Sequence, residues 1–168
     1  DPTSSARTQV SFIDIVRAYF CAATDPNDPT YVELPEEHPG KQQGLCGMLL
    51  KHMYGTRKAA DGWHCESSGA LQDLGFEVGD ASACVFVHHQ RRLHCSVYGD
   101  DLTTSGPKRD LDWFKAKLEE KYELVESARL GPGHHDSKEA RVLNRVVRWT
   151  NSGLEYEADP RQAERLVR

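Results

Sequence analysis

Two adjacent acids, Asp100 and Asp101, lie between residues that favour β-strands. Residues 94–98 alternate apolar and polar types, which predicts a strand, and residues 102–104 predict its return. Gly99 provides the backbone freedom that a tight turn between two strands needs. The pattern predicts a hairpin whose tip carries two carboxylates, one of which can point into a cleft as a metal ligand. On this tripeptide alone, an ordinary polar turn is the simpler interpretation.

A third acid, Asp14, lies inside the apolar run 10–15. A carboxylate among phenylalanine and isoleucine side chains is costly unless something compensates its charge. Mg²⁺, which prefers hard oxygen ligands, is a natural compensator. If the fold brings Asp14 close to Asp100 and Asp101, the three acids form a site for two metal ions, as in-line phosphoryl transfer uses. Such acids repel each other, so metal binding should release protons near neutral pH.

Several motifs, taken in order, resemble those of a known family. DIVRAYF at residues 14–20 is similar to the first aspartate motif of reverse transcriptases, and YGDD at 98–101 to their aromatic-x-Asp-Asp motif. LLKHMYGTRKAADGW at 49–63 resembles the LYGLKQAPxxW pattern of copia-type LTR retrotransposons. YVELP at 31–35, LQDLGF at 71–76 and DASACVFV at 80–87 match further signals of the same family. The similarity in order and spacing extends from about residue 12 to residue 166.

The resemblance implies a fold and a domain organisation. The expected fold is α/β of the α+β kind: a polymerase palm-like antiparallel sheet with helices packed on one face. A length of 168 residues agrees with one domain and one core. Residues 1–168 are therefore interpreted as a single palm domain with partial fingers, with the N-terminal fingers and the C-terminal thumb and RNase H regions absent.

The resemblance also implies an activity, RNA-directed DNA polymerisation by a fragment of a retrotransposon Pol polyprotein. Asp14, Asp100 and Asp101 would be catalytic, and with the Ile15 carbonyl they would hold two Mg²⁺ ions, for which Mn²⁺ could substitute. The partners would be an RNA or DNA primer-template, deoxynucleoside triphosphates, and the RNase H and integrase parts of the polyprotein. The alternative is a catalytically inactive or domesticated palm-fold module that serves in binding or structure.

Three residues near the acids are assigned to the nucleotide and template by resemblance. Tyr19 stands five residues after Asp14, where the family's aromatic residue abuts the incoming sugar and excludes a ribose 2′-hydroxyl. Tyr98 and Gly99 belong to the aromatic-x-Asp-Asp motif itself. From the residues alone, an ordinary core aromatic is the preferred interpretation of Tyr19.

Arg57 and Lys58 are assigned to the same role, in the first turn of a helix predicted over residues 56–74. The family has glutamine where Lys58 stands and proline where Ala60 stands. A lysine can still meet a phosphate as a point charge, without the paired donor and acceptor of an amide. A solvated helix start is the competing interpretation of Arg57 and Lys58.

Composition limits the remaining classes. The formal net charge of -5 argues against a protein that grips nucleic acid on its own. No apolar run has the length of a membrane span, so no membrane partner is expected, nor does a signal peptide open the sequence. Five irregularly spaced cysteines with no Cys-x-x-Cys pair argue against a disulfide framework, structural zinc and a Cys-His hydrolase. By resemblance alone, the location would be intracellular, in a cytoplasmic particle or the nucleus.

The remaining pattern predicts the elements that must position the acids. Strands are predicted at residues 9–15, 31–34, 45–54, 83–88, 93–98, 122–126, 140–149 and 154–156. A second helix is predicted from 105–107, with apolar residues 111, 114, 118 and 122 on one face, and a third from 159–160. Residues 151–153 predict a turn between the last two strands.

Overall fold

The structure, a computed structural model, describes residues 8–157 and Arg165. The chain divides into two compact units, the first formed by Asp1–Val16 with Leu74–Arg168 and the second by Arg17–Asp73. The described part contains two α-helices and antiparallel sheets, which confirms the α+β class. The helix predicted from residues 159–160 lies outside the described residues.

The first unit is built on a six-stranded antiparallel sheet. Its strands are β1 (Thr8–Ile15), β4 (Glu77–Gly79), β5 (Ser82–His88), β6 (Leu93–Tyr98), β7 (Asp101–Pro107) and β8 (Leu124–Leu130). They lie side by side in the order β4-β5-β6-β7-β1-β8. In β6, residues 93, 95 and 97 are buried and alternate with exposed neighbours, as the period of a strand requires. The central consequence for the site is that β1 lies between β7 and β8.

The strand β1 is buried along both of its faces. Helix α1 (Ala59–Asp73) belongs to the second unit, whereas α2 (Lys108–Glu119) packs against β7 and β1. A three-stranded sheet of the first unit comprises β9 (Glu139–Val142), β10 (Arg145–Thr150) and β11 (Gly153–Tyr156). A core cluster joins Val10 and Phe12 of β1 to Leu130 of β8 and to Ala140 and Val147 of this smaller sheet. Since neighbouring side chains of a strand point to opposite faces, β1 is covered from two directions.

The pattern of α2 is the expected amphipathic one. Leu111, Phe114 and Leu118 are buried, and Phe114 is fully so, as the helical spacing predicts. The helix begins after Pro107, and residues 105–107 belong to β7. The predicted helix start at 105–107 was therefore one to three residues early, because strand pairing with β1 and β6 extends to that point.

The single strand predicted over residues 140–149 was wrong, because the segment is the hairpin of β9 and β10. Its two loop residues, Leu143 and Asn144, both have positive φ, 48° and 63°. Two-residue hairpin loops of type I′ need this conformation at both positions, and asparagine tolerates it better than leucine. A lone asparagine next to an apolar residue is a weak turn signal, so the alternation concealed the turn. The turn predicted at 151–153 is confirmed between β10 and β11.

The second unit contains short elements. They are a 3₁₀ helix (Ala18–Cys21), β2 (Tyr31–Glu33), β3 (Cys46–Met48) and α1. The strands β2 and β3 are antiparallel, and the hydroxyl of Thr24 donates to the Leu49 carbonyl at 2.7 Å. The predicted helix is confirmed but begins at Ala59, whereas the strand predicted over 45–54 is only three residues long. No helix in the described part of the chain has the length and apolar character needed to cross a membrane.

An ionic network joins α2 to β1 and β8. The Ser11 hydroxyl donates to a Glu126 carboxylate oxygen at 2.6 Å, and the Arg129 Nε donates to the same oxygen at 2.7 Å. Arg129 also pairs with Asp112 of α2, and Lys115 approaches Glu126 at 3.4 Å. Burial would raise the pKa of Glu126, but the hydrogen bonds from Ser11 and Arg129 outweigh it and hold the pKa below its usual value. The network is therefore charged and internally paired.

The variant Arg129→Met should lower the free energy of unfolding by about 1–3 kcal/mol, because Glu126 loses the guanidinium that pairs with its half-buried charge. The pKa of Glu126 is lower in the folded chain, so the paired carboxylate contributes stability above its usual pKa of 4.5, and that stability is lost as pH falls through the folded-state pKa. Urea unfolding at about pH 7 and about pH 4 measures the difference in unfolding free energy between the wild-type chain and Arg129→Met. This difference should be smaller at the lower pH. Lys117→Met, which removes an exposed pair with Glu120, should cost less than about 0.5 kcal/mol. Equal losses in the two variants would contradict this account.

Gly106 of β7 lies where no side chain fits. A Cβ there would lie 2.5 Å from Leu93 Cδ2 and 2.9 Å from the Arg92 carbonyl oxygen. Gly106→Ala should therefore destabilise the fold by about 1–3 kcal/mol through overpacking. Gly69→Ala, in α1 with nothing within 4 Å of the added Cβ, should be neutral or stabilise by up to about 1 kcal/mol. Thermal unfolding of both variants checks the contrast, and an unchanged melting temperature for Gly106→Ala would refute the close approach.

Candidate active site

The two adjacent acids lie at the turn between β6 and β7. Tyr98 pairs with Asp101, so Gly99 and Asp100 form a two-residue hairpin loop. Gly99 has φ 60°, and an added Cβ would meet nothing within 4 Å. A glycine with positive φ at the first loop position is typical of type II′ hairpins. The local structure predicted for this stretch, a hairpin tip carrying two carboxylates, is confirmed.

Asp14 lies directly opposite Asp101. The two residues are paired in the antiparallel register of β1 and β7. The Ile15 N–H donates to the Asp100 carbonyl at 3.0 Å, which ties the end of β1 to the turn. The fold thus brings Asp14, at the end of β1, next to Asp100 in the β6–β7 turn and Asp101 at the start of β7, although Asp14 is far from the other two in sequence.

The carboxylates affect each other electrostatically. Burial is the main reason that the pKa of Asp14 is raised above its usual 3.8, and repulsion by Asp100 adds to it. The pKa of Asp101 is raised for the same reasons, first burial and then repulsion by Asp100 and Asp14. All three side chains are partly buried, so solvent screens their repulsion only in part. In the folded chain the charged forms of Asp14 and Asp101 are therefore held at a cost in free energy.

The donor chemistry of this cluster fits a divalent cation. Carboxylate oxygens are the ligands that Mg²⁺ prefers, and a cation would relieve the repulsion that raises the pKa of Asp14 and Asp101. Ile15, whose carbonyl was predicted to complete the shell, follows Asp14 directly and is buried. Within the described residues, no three His, Cys, Asp or Glu side chains are gathered closely enough to hold a metal ion.

Comparison with known proteins bears on what this cluster does. A family model described as reverse transcriptase (RNA-dependent DNA polymerase) matches residues 3–132, more than three quarters of the 168 residues. The chain belongs to the reverse transcriptase family. The match includes every predicted site residue and ends before β9 begins at Glu139. A search of curated proteins found no match.

The surroundings of the acids in this reverse transcriptase chain are open on one side. Tyr98 is 69% exposed and Gly99 is exposed, so both are accessible to a large ligand. On another side, a small cavity of about 70 Å³ is lined by Asp101 together with Ile13, Ser127 and Arg141. Arg141 is the cation among the residues that line this cavity. Sequence reasoning missed Arg141, because its position depends on the β9–β10 hairpin.

The other predicted site residues lie in the second unit. Tyr19 is half-buried, and its ring centroid lies 4.3 Å from that of Tyr54. Lys58 forms an ion pair with Asp28, which sequence reasoning did not anticipate. The Lys58 carbonyl accepts the Gly62 N–H at 2.9 Å, so Lys58 is the N-cap residue of α1. The prediction that Lys58 lies in the first turn of this helix was therefore wrong.

Arg57 precedes Lys58 and is exposed. It too lies before the helix, not in its first turn, because α1 begins at Ala59. Because the nearby Asp28 carboxylate offsets the charge of Lys58, Lys58 attracts a phosphate less strongly than a solvated lysine would. The roles of Tyr19, Arg57, Lys58, Tyr98 and Gly99 at a nucleotide or template stay predictions.

The variant Asp101→Asn should make the metal-free chain more stable at about pH 7, by a few tenths of a kcal/mol to about 1 kcal/mol. The pKa of Asp101 is raised in the folded chain, so its contribution to stability is fully present below the usual value of 3.8, where the group is protonated, and is lost as pH rises through the folded-state pKa. The advantage of the variant should therefore disappear as pH falls toward 3.8.

Urea unfolding in the presence of a chelator measures this advantage across pH. Glu37→Gln removes an equal charge from an exposed turn outside any helix or strand and serves as the matched control, with no change expected. A wild-type chain more stable than Asp101→Asn at about pH 7 would show that the acids are not in repulsive contact.

Proposed function

We propose that this chain is the catalytic palm of a copia-type LTR retrotransposon reverse transcriptase, a fragment of a Pol polyprotein that synthesises DNA on a template. The observation that carries the proposal is the register that sets Asp14 opposite Asp101, next to Asp100 at the hairpin tip, within the span of the family match. The raised pKa of Asp14 and of Asp101 supports it, because perturbed carboxylates collect at functional sites.

The reaction is nucleotidyl transfer. The 3′-hydroxyl oxygen of the primer attacks the α-phosphorus of a deoxynucleoside triphosphate, the bond from that phosphorus to the bridging oxygen breaks, and pyrophosphate leaves. Asp14 and Asp100 would hold two Mg²⁺ or Mn²⁺ ions, with Asp101 in an orienting role and the Ile15 carbonyl as a further ligand. When bound, divalent cations supply positive charge at the attacking and leaving oxygens.

The chain's own residues supply position. Tyr98 and Gly99 are exposed next to the acids and would contact the nucleotide or the template. Arg141 lines the cavity beside Asp101 and would balance negative charge there. Tyr19 would abut the sugar of the incoming nucleotide, and Arg57 and Lys58 would contact the nucleotide or the template. The roles given to Tyr19, Arg57 and Lys58, which lie in the second unit, are based on the sequence motifs that they share with the family.

The partners follow from the reaction and the family. They are an RNA or DNA primer-template, deoxynucleoside triphosphates, and the RNase H and integrase parts of the same polyprotein. The place of action would be a cytoplasmic particle or the nucleus.

The second candidate is a palm-fold module without catalysis, either degenerate or domesticated. Two observations favour it: Lys58, which replaces the family's glutamine, is paired with Asp28, and the formal net charge is -5. A chain of this charge binds nucleic acid weakly unless cations offset the acids. The intact trio of Asp14, Asp100 and Asp101 favours the catalytic candidate.

Primer extension on an RNA template with Mg²⁺ tests the two candidates. The wild-type chain should extend the primer, and Asp100→Asn should reduce extension to background with an unchanged circular dichroism spectrum, because a metal ligand is lost. Glu37→Gln should extend as the wild type does. Full activity of Asp100→Asn would remove this mechanism. If no protein extends the primer, affinity for the primer-template is measured with and without Mg²⁺, and binding that Mg²⁺ does not change would favour the non-catalytic module.

A further inference from the structure

A cavity of about 550 Å³ lies in the first unit, almost entirely outside the family match. It is lined by Pro132, Lys138 and residues 149–153, so all but one of its lining residues follow the last matched position, 132. Its volume is within the range of about 300–1,000 Å³ that is usual for small-ligand sites. The loop after β8 forms one side, and the β10–β11 turn forms the other.

Trp149 gives this cavity an aromatic wall. The indole packs in part against the core cluster of the first unit and is half-buried, while it also lines the cavity. The Trp149 backbone N–H donates to the Lys138 carbonyl at 2.8 Å, which fixes the strand beside the loop. An aromatic ring held by the core on one side offers a rigid surface for stacking on the other.

Lys138 is the charged residue of the cavity lining. Its ammonium donates to the Gly131 carbonyl at 2.6 Å and to the Gly133 carbonyl at 2.8 Å. These contacts hold the amine in place but leave its charge intact, since no carboxylate of the described residues pairs with it. The lining therefore combines an aromatic face with a fixed positive charge.

The rim of the cavity is polar and well ordered by its own hydrogen bonds. The Thr150 hydroxyl donates to the Gly153 carbonyl at 2.9 Å and lies 3.0 Å from the Ser152 hydroxyl. Asn151 is exposed between them and carries both a donor and an acceptor. Arg148, next to Trp149, points to the opposite face of β10 and is balanced by Glu139 and Glu157.

We propose that this cavity binds one nucleotide of single-stranded nucleic acid, with its base on Trp149 and a phosphate at Lys138. Aromatic stacking together with a cation near the backbone is how single strands are held without sequence preference. A base in a duplex is already stacked and cannot lie against the indole, so the strand must be unpaired. The source of the strand rests on the proposed function, but binding at the cavity requires no catalysis.

The test is the binding of a fluorescent uridine octanucleotide to the full chain, followed by anisotropy in the presence of a chelator. Trp149→Leu should weaken binding about ten- to a hundredfold, whereas Trp149→Phe should keep it within about threefold of wild type, because phenylalanine still stacks. Lys138→Gln should weaken binding several-fold and lower its salt dependence. Lys117→Gln, which removes an equal charge from α2, should change neither.

Two further probes locate the bound base. An octanucleotide with one 5-iodouridine should crosslink to Trp149 on irradiation, and an octanucleotide of abasic sites should bind as weakly as the uridine probe binds Trp149→Leu. Equal binding of abasic and uridine probes, a crosslink confined to other residues, or full competition by a polyglutamate peptide would overturn the proposal. Since Lys138 is exposed, Lys138→Gln keeps the test valid even if Trp149→Leu fails to fold.

The outcome can be separated from that of primer extension. Octanucleotide binding that depends on Trp149 without any extension would leave this inference standing and remove the catalytic proposal. Extension by the wild-type chain, with octanucleotide binding unaffected by Trp149→Leu, would overturn this inference alone.

Discussion

Asp14 and Asp101 face each other across neighbouring strands, and both carboxyl groups are partly removed from water. Burial and repulsion by Asp100 raise the pKa of each, so the two charged carboxylates work against folding at neutral pH. Such an arrangement persists only where the surrounding structure is stable enough to hold it. The first unit provides that stability through β1, whose neighbours on both sides and on both faces are fixed by packing and hydrogen bonds.

The support has two parts with different chemistry. On one side, the core cluster around Val10 and Phe12 removes apolar surface from water and fixes the register of β1. On the other, Ser11 and Glu126 connect β1 to β8, and Arg129 extends the connection to α2. The positive charge in this network lowers the pKa of Glu126, whereas the pKa of Asp14 is raised. The paired acids Asp112 and Glu126 have lowered pKa values and stabilise the unit, whereas the pKa values of Asp14 and Asp101 at the candidate site are raised.

The three-stranded sheet adds contacts that the matched region alone would lack. It closes one face of β1 through Ala140 and Val147, brings Arg141 to the cavity beside Asp101, and forms the wall of the cavity that contains Trp149. The same hairpin therefore stabilises the strand that carries Asp14 and contributes side chains on two sides of it. A change in its register would move every one of these side chains to the opposite face.

Local patterns in the sequence were enough to predict several of the elements. The hairpin with its acidic tip, the strand around Asp14 and the amphipathic α2 follow from alternation, helical spacing and a glycine at a turn, all of which act within a few residues. The order of motifs also indicated the reverse transcriptase family. The turn at Leu143 and Asn144 was not predicted, because these residue types favour a turn only weakly.

The relations between distant segments depend on tertiary packing and could not be predicted from local patterns. These are the position of β1 between β7 and β8, the register that sets Asp14 opposite Asp101, and the contact of Ser11 with Glu126 across 115 positions. The ion pair of Lys58 with Asp28 and the cavity at Trp149 belong to the same group. Pairing between remote strands leaves no local pattern, because it depends on which register buries both faces of β1 at the lowest free energy.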